Sequence, residues 1–203
     1  MIGEEALKRW KEAGQEAVWT PDNVIEIKKE WDNKSKQTLK LQTACYYVLG
    51  KSILDMGCGT GDLIDALRGR RYEGTYLGVD QSENMIKQAR RLHPGHLFTK
   101  ANLYNMDHIP PADTVICLDV LHHQEKIEPG FTNLYDKARK RLIITLWVND
   151  RDAHHEPQTK GRYGEWITYY KEQELEEHFK GLTYSVIKRV GCPWKDMYLF
   201  KMS

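Results

Sequence analysis

Glycines at 57, 59 and 61 alternate through the run LDMGCGTGDL, directly after the apolar stretch Ser52–Met56 and before a helical one. Glycines in that place let the backbone turn tightly and press against a ligand at the start of a helix. Nineteen residues past Gly61, Asp80 ends the next apolar run. A carboxylate there can accept both hydroxyls of a ribose lying across a sheet crevice. The pattern is not the dinucleotide GxGxxG, because Asp62 stands where that motif needs its third small residue, and it lacks the Gly-Lys-Ser/Thr of a Walker A loop. Loop and acid together point to a nucleoside-containing ligand, and on residue chemistry alone NAD and S-adenosylmethionine both remain open.

A second group able to do chemistry is His122-His123, just past the apolar run TVICLDV. Ligands bind beyond the carboxyl ends of strands in open α/β sheets, so either imidazole can take a proton from a hydroxyl or amine there, and His123 is the first choice. No metal is expected: the pair, His154-His155 and Asp119 make no recognised ligand spacing. Three basic clusters (Arg68, Arg70 and Arg71; Lys87, Arg90 and Arg91; Lys137, Arg139, Lys140 and Arg141) each fall at the end of an expected helix. There they complement helix dipoles away from the ligand crevice and are weak evidence for nucleic-acid binding.

These residues need a frame. Apolar runs at 52–56, 75–79, 96–101, 114–120 and 141–148 read as strands, with helices at 61–68, 82–91 and 129–140 between them. That alternation of near-continuous apolar strands with helices is the mark of an α/β protein with a mostly parallel sheet. Residues 1–50 read as three helical pieces, and the first two carry Trp10, Trp19 and Trp31, which suit a lid. The chain closes with a helix at 171–180 and two alternating strands at 183–189 and 197–202, an antiparallel ending.

The 203 residues suit one domain with a short appendage, and a net charge of +1 carries neither a polyanion-binding nor an acidic-tail signature. No apolar run approaches the roughly 18 residues of a membrane span, and the charged start MIGEEALKRW has no signal-peptide core. Four dispersed cysteines without a CxxC fit a reducing, cytoplasmic setting.

The segments LDMGCGTG, LGVDQSENMI, KANLYNMDHIP and TVICLDVLHHQ, in that order, resemble the successive motifs of the class I S-adenosylmethionine-dependent methyltransferases, closely over residues 36–148. The resemblance implies S-adenosylmethionine as cofactor. It also implies a Rossmann-like, seven-stranded, mostly parallel sheet with an antiparallel C-terminal edge hairpin and an N-terminal helical cap. Residues 1–35 would be the cap and 36–203 the methyltransferase domain, with 149–170 as a substrate-side insert. By position, Asp55, Gly57, Cys58, Gly59 and Gly61 would hold the methionine end of the cofactor. Asp80 would bind the ribose, Gln81 and Met85 would line the adenine, and Asn102 and Leu103 would meet its edge by side chain and backbone. Leu118 and Asp119 would form the wall beneath the sulfonium. Asn102 replaces the acid of most members, and Lys137 to Arg141 replace the usual Pro-Gly-Gly turn.

The acceptor side is expected from Trp10, Trp19, Arg151, Tyr163, Trp166 and Tyr170, a mixture suited to a small polar substrate with an apolar portion. The favoured activity is methyl transfer to a small-molecule oxygen, nitrogen or carbon acceptor, with no membrane partner. A tRNA or other nucleic-acid methyltransferase and a non-catalytic cofactor-binding activator subunit are the alternatives, and the oligomeric state stays open.

Overall fold

A computed structural model of the chain describes residues 19–32, 35–124, 126–149, 158–160 and 166–202. Its strands are β1 (Ser52–Met56), β2 (Thr75–Asp80), β3 (Leu97–Lys100), β4 (Ala112–Cys117), β5 (Ala138–Trp147), β6 (Gln158–Lys160), β7 (Trp166–Thr168), β8 (Tyr184–Ile187) and β9 (Lys195–Lys201). Seven of them form one sheet in the order β3-β2-β1-β4-β5-β9-β8, while β6 and β7 pair apart as a small antiparallel ribbon. The first five strands run parallel, and β9 runs antiparallel to both β5 and β8. The Rossmann-like expectation and its antiparallel C-terminal edge are both met.

The helices are α1 (Pro21–Asp32), α2 (Ser35–Tyr46), α3 (Leu63–Gly69), α4 (Glu83–Leu92), α5 (Gly130–Lys137) and α6 (Glu172–His178). The period-two geometry of a strand sends adjacent apolar residues to opposite sheet faces, which is why the central strands are apolar throughout. Ile53, Ile116 and Ile143 pack with Ala44 of α2, Ile64 and Leu67 of α3 and Ile86 of α4. Their neighbours Leu54, Val115, Leu142 and Ile144 face the other way, against Phe131 and Leu134 of α5 and Leu175 of α6. Phe179, just after α6, meets Phe200 of β9 edge to face at 4.8 Å between centroids, and both rings are fully buried. Aromatic contacts of this kind add roughly 0.5–1.5 kcal/mol beyond area burial.

Two boundaries depart from the periodicity. The helix expected over 129–140 stops at Lys137, and β5 begins at Ala138, paired with Ala112 ahead of an irregularity in the β4 register. The third basic cluster therefore places only Lys137 on a helix; Arg139, Lys140 and Arg141 are strand residues, and Lys140 reaches Asp113 at 3.2 Å. β4 ends at Cys117 rather than Val120, because Asp119 turns the chain with a left-handed φ of 57°. Its amide donates to Thr145 Oγ1 at 2.7 Å, and that hydroxyl donates back to Asp119 Oδ1 at 3.0 Å, which holds the turn.

Candidate active site

The strand order reverses between β1 and β4, and a cavity of about 250 Å³ opens beyond their carboxyl ends, where such sheets bind ligands. Its floor is the glycine loop. The amides of Gly57 and Cys58 donate to the Val79 carbonyl at 2.7 and 3.0 Å, which ties the loop to β2. Gly57 has φ of 76°, and a Cβ there would lie 2.1 Å from Val120 Cγ2. Gly61 serves a different purpose. Its φ is 87° and a Cβ would meet His93 at 2.8 Å, so it lets α3 approach the end of α4 and does not line the cavity.

Asp80 lies at the end of β2, 8 % exposed. Oδ2 accepts from the Gly59 amide at 3.0 Å and Oδ1 from the Ser82 amide at 2.9 Å. A carboxylate offers about four lone-pair sites, so two remain for ligand hydroxyls. Burial raises the Asp80 pKa, opposed by its backbone hydrogen bonds.

Asp55 also lines the cavity, and Tyr76 donates to its Oδ2 at 2.7 Å. Burial pushes this carboxyl up to about 7, against the Tyr76 hydrogen bond that favours the charged form. Cys58, in the loop, is a buried thiol held well above its ordinary range, first by desolvation and then by Asp80 and Asp55, which makes it a packing group rather than a nucleophile.

Gln81, Met85 and Leu103, expected at the adenine, line the cavity, and Ser82 caps α4 by accepting from the Met85 amide at 3.3 Å. Asn102 does not line it. Its side-chain Oδ1 accepts from the Tyr104 amide at 2.9 Å in a local turn, and the residue is exposed. Tyr104, hydrogen-bonded to Gln124, takes a place in the wall instead.

Leu118, Asp119, His122 and His123 share the far wall with Trp147. Asp119 Oδ2 accepts from Lys40 of α2 at 2.6 Å and from Lys195 of β9 at 2.7 Å. These contacts hold its carboxyl well below the usual range although desolvation, the largest influence, works the other way. Lys40 is fully buried, and desolvation lowers its pKa despite the Asp119 charge. His122 is 2 % exposed and stacks on Trp147 at 4.3 Å. Burial, reinforced by His123, drives its pKa far below 6.5, so it is a neutral imidazole.

Among the expected acceptor-side residues, Trp19 lines the cavity, and its carbonyl accepts from the Asn84 side chain at 2.9 Å. Tyr170 does not line it: its hydroxyl donates to the Leu121 carbonyl at 2.7 Å, buried beneath the single 3-10 turn that carries the histidines. That partner explains why an aromatic residue at the end of the insert is core rather than contact surface. Trp10, Arg151, Tyr163 and the Trp166 side chain lie outside the described residues, while Ile167 of β7 reaches the cavity. Lys40, Lys195 and Trp147 carried no motif; a lysine between leucines in a helix and a lysine opening an edge-side strand read as solvated surface.

Residues 54–141 match the family model described as a methyltransferase domain, and that span contains the glycine loop, Asp80 and both histidines. Across that span the chain is similar to methyltransferase domains. A trans-aconitate 2-methyltransferase of Methylobacterium nodulans is 36 % identical over 75 residues, 35 % of this chain and 29 % of that protein. One from Rhodopseudomonas palustris is 29 % identical over 87 residues, 43 % of this chain and 33 % of that protein. The chain thus spans about a third of the length of the curated relatives it matches. Among solved structures, Streptomyces venezuelae DesVI superposes with a TM-score of 0.71 at 13 % identity, over 91 % of this chain and 99 % of that one. An amino pentose methyltransferase of Micromonospora echinaspora, solved with S-adenosylmethionine bound, gives 0.68 at 15 % identity over 88 % and 97 %. At such identity these two speak for the methyltransferase fold alone.

Proposed function

We propose that this protein transfers a methyl group from S-adenosylmethionine to a small-molecule acceptor. One observation carries the reading: a glycine loop hydrogen-bonded to a buried carboxylate, Gly59 to Asp80, at the carboxyl ends of β1 and β2 where the cavity opens. The residues fit the cofactor. Gly57 and Gly59 leave the floor bare of side chains, Asp80 keeps free lone pairs for the ribose, and Met85 and Leu103 offer an apolar slot for the adenine. The curated relatives named as trans-aconitate 2-methyltransferases support a small-molecule acceptor.

When bound, S-adenosylmethionine supplies a methyl carbon already electrophilic on its sulfonium sulfur. The chain's own work is alignment and exclusion of water. Leu118, Val120 and Trp147 wall the reacting end, and α1 covers the loop side, where Lys28 pairs with Asp62 at 3.0 Å. Residues 1–35 are assigned the role of this cap and 149–170 that of an acceptor-side insert. His123, in the cavity wall, is the group assigned to take the acceptor's proton. No disulfide joins Cys45, Cys58, Cys117 or Cys192, which agrees with a cytoplasmic setting, and among the described residues no helix is long and apolar enough to cross a membrane.

Calorimetric titration with S-adenosylmethionine, its demethylated product and NAD tests the cofactor. Saturable binding of the first two and none of NAD is expected; NAD binding alone defeats the reading. Screening acceptors with methyl-labelled cofactor, with bulk tRNA in parallel, tests the substrate class, and label entering only tRNA would transfer the assignment to the nucleic-acid alternative.

A further inference from the structure

A second cavity, of about 410 Å³, lies at the opposite end of β1 from the glycine loop. Its lining comes from the end of α2 with Tyr46, from Lys51 ahead of β1, and from the turn Arg70–Gly74 between α3 and β2. Lys51 and Gly57 bracket the five residues of β1, so the two cavities are roughly 20 Å apart at about 3.3 Å per residue. Whatever fills this one is not the methyl acceptor.

Three cations, Lys51, Arg70 and Arg71, line it against one acid, Glu73, and none of the four forms an ion pair among the described residues. The acids of the flanking elements are already used: Asp65 pairs with Arg68 at 3.0 Å and Asp113 with Lys140 at 3.2 Å. Helix capping does not occupy the cations either. The Leu67 carbonyl of α3 accepts from the Arg70 and Tyr72 amides at 3.1 Å each, and that of Arg68 from the Arg71 amide at 2.9 Å. Backbone thus meets backbone there, and the two guanidinium groups make no hydrogen bond among the described residues. Arg71 also holds a left-handed φ of 55°, which glycine adopts without strain, so backbone geometry gives no reason for a side chain at this position.

The rest of the lining selects the kind of anion. The Arg70 guanidinium lies 5.0 Å over the Tyr46 ring, and Tyr46 is 64 % exposed. An aromatic ring and a guanidinium plane are both surfaces on which a nucleobase stacks. Glu73 is an acceptor for hydroxyl or amino donors, and Tyr72 brings a buried hydroxyl with no hydrogen-bond partner among the described residues. A bare inorganic anion would use neither the ring nor Glu73.

We propose that this cavity binds a free nucleotide, with its phosphates on Lys51 and Arg71 and its base on Tyr46 and Arg70. Three cations against one acid suit a single nucleotide, and the chain's net charge of +1 supplies no basic track for a longer strand.

Isothermal titration of the full chain with UTP, whose base is not the cofactor's adenine, is the test. Excess S-adenosylhomocysteine is present to fill the cofactor crevice; uridine, tripolyphosphate and a uridine decamer are titrated in parallel. UTP should bind saturably, roughly tenfold or more tighter than uridine or tripolyphosphate. Arg71→Gly relieves the left-handed backbone, so it should keep or raise the melting temperature while weakening UTP roughly fivefold or more. Tyr46→Ala, a change at an exposed ring, should weaken UTP by a similar factor. The proposal is overturned by tripolyphosphate binding as tight as that of UTP, by UTP binding that both variants leave unchanged, or by UTP binding that S-adenosylhomocysteine abolishes. A decamer that binds while UTP does not overturns it as well, in favour of an RNA strand. The proposal does not rest on the methyltransferase reading: a chain that fails to bind S-adenosylhomocysteine loses that reading, and the two variants still decide this one.

Discussion

The Gly59 amide and the Asp80 carboxylate are joined at 3.0 Å, so the loop that would cradle the cofactor and the acid that would hold its ribose form one unit. Replacing Asp80 by Ala should accordingly affect both. Two charge-assisted contacts to the ribose are lost together with the anchor of the loop, and cofactor affinity should fall by about 1.5–3 kcal/mol or more. Calorimetry on the variant checks this, and an unchanged isotherm would show the ribose to be elsewhere.

Gly57→Ala should abolish cofactor binding. The new Cβ meets Val120 Cγ2 at 2.1 Å, and the left-handed φ costs a further 1–2 kcal/mol or about that. Adding Val120→Ala removes the clash but not the backbone term, so the double variant should recover binding only in part. Full recovery would mean that sterics alone made this position a glycine.

Asp55 gives a pH signature. Its carboxyl is raised from 3.8 to about 7 in the folded chain, so between those values the native state keeps a proton that the unfolded chain has released. The stabilisation this brings is complete below about pH 4 and is lost as pH rises through about 7. Asp55→Asn, uncharged throughout, should gain melting temperature relative to wild type on going from pH 4 to pH 8. Parallel curves for the two proteins would contradict the buried, protonated carboxyl.

The two histidines should separate in kinetics. His123→Asn is expected to cut turnover by roughly 10²-fold and to remove the acid limb of the pH–rate profile, with little change in melting temperature. His122→Asn breaks the stack on Trp147 and should cost about 0.5–3 kcal/mol of stability while keeping that limb, because His122 is already neutral. A reversed pattern would make His122 the base.

Much of this molecule was legible without coordinates, because its strongest signals are local. Glycines that need positive φ, an acid one strand later and apolar runs of strand length all follow from the conformations and periodicities of neighbouring residues, and so the glycine loop, Asp80 and the order of the sheet's elements could be read directly. The Asn102 side chain illustrates the limit, since its local turn with the Tyr104 amide uses the oxygen that sequence position assigns to a ligand. Tyr170 illustrates another, because a buried carbonyl 49 residues away is what its hydroxyl meets. The cluster of Lys40, Asp119 and Lys195 is wholly a tertiary product. Its members lie 79 and 76 residues apart from the shared acid, on a helix, a turn and an antiparallel strand. Charge has no periodicity that marks such a meeting; only the sheet order, which sets β9 beside β5, brings Lys195 to Asp119, which with Lys40 lines the cavity.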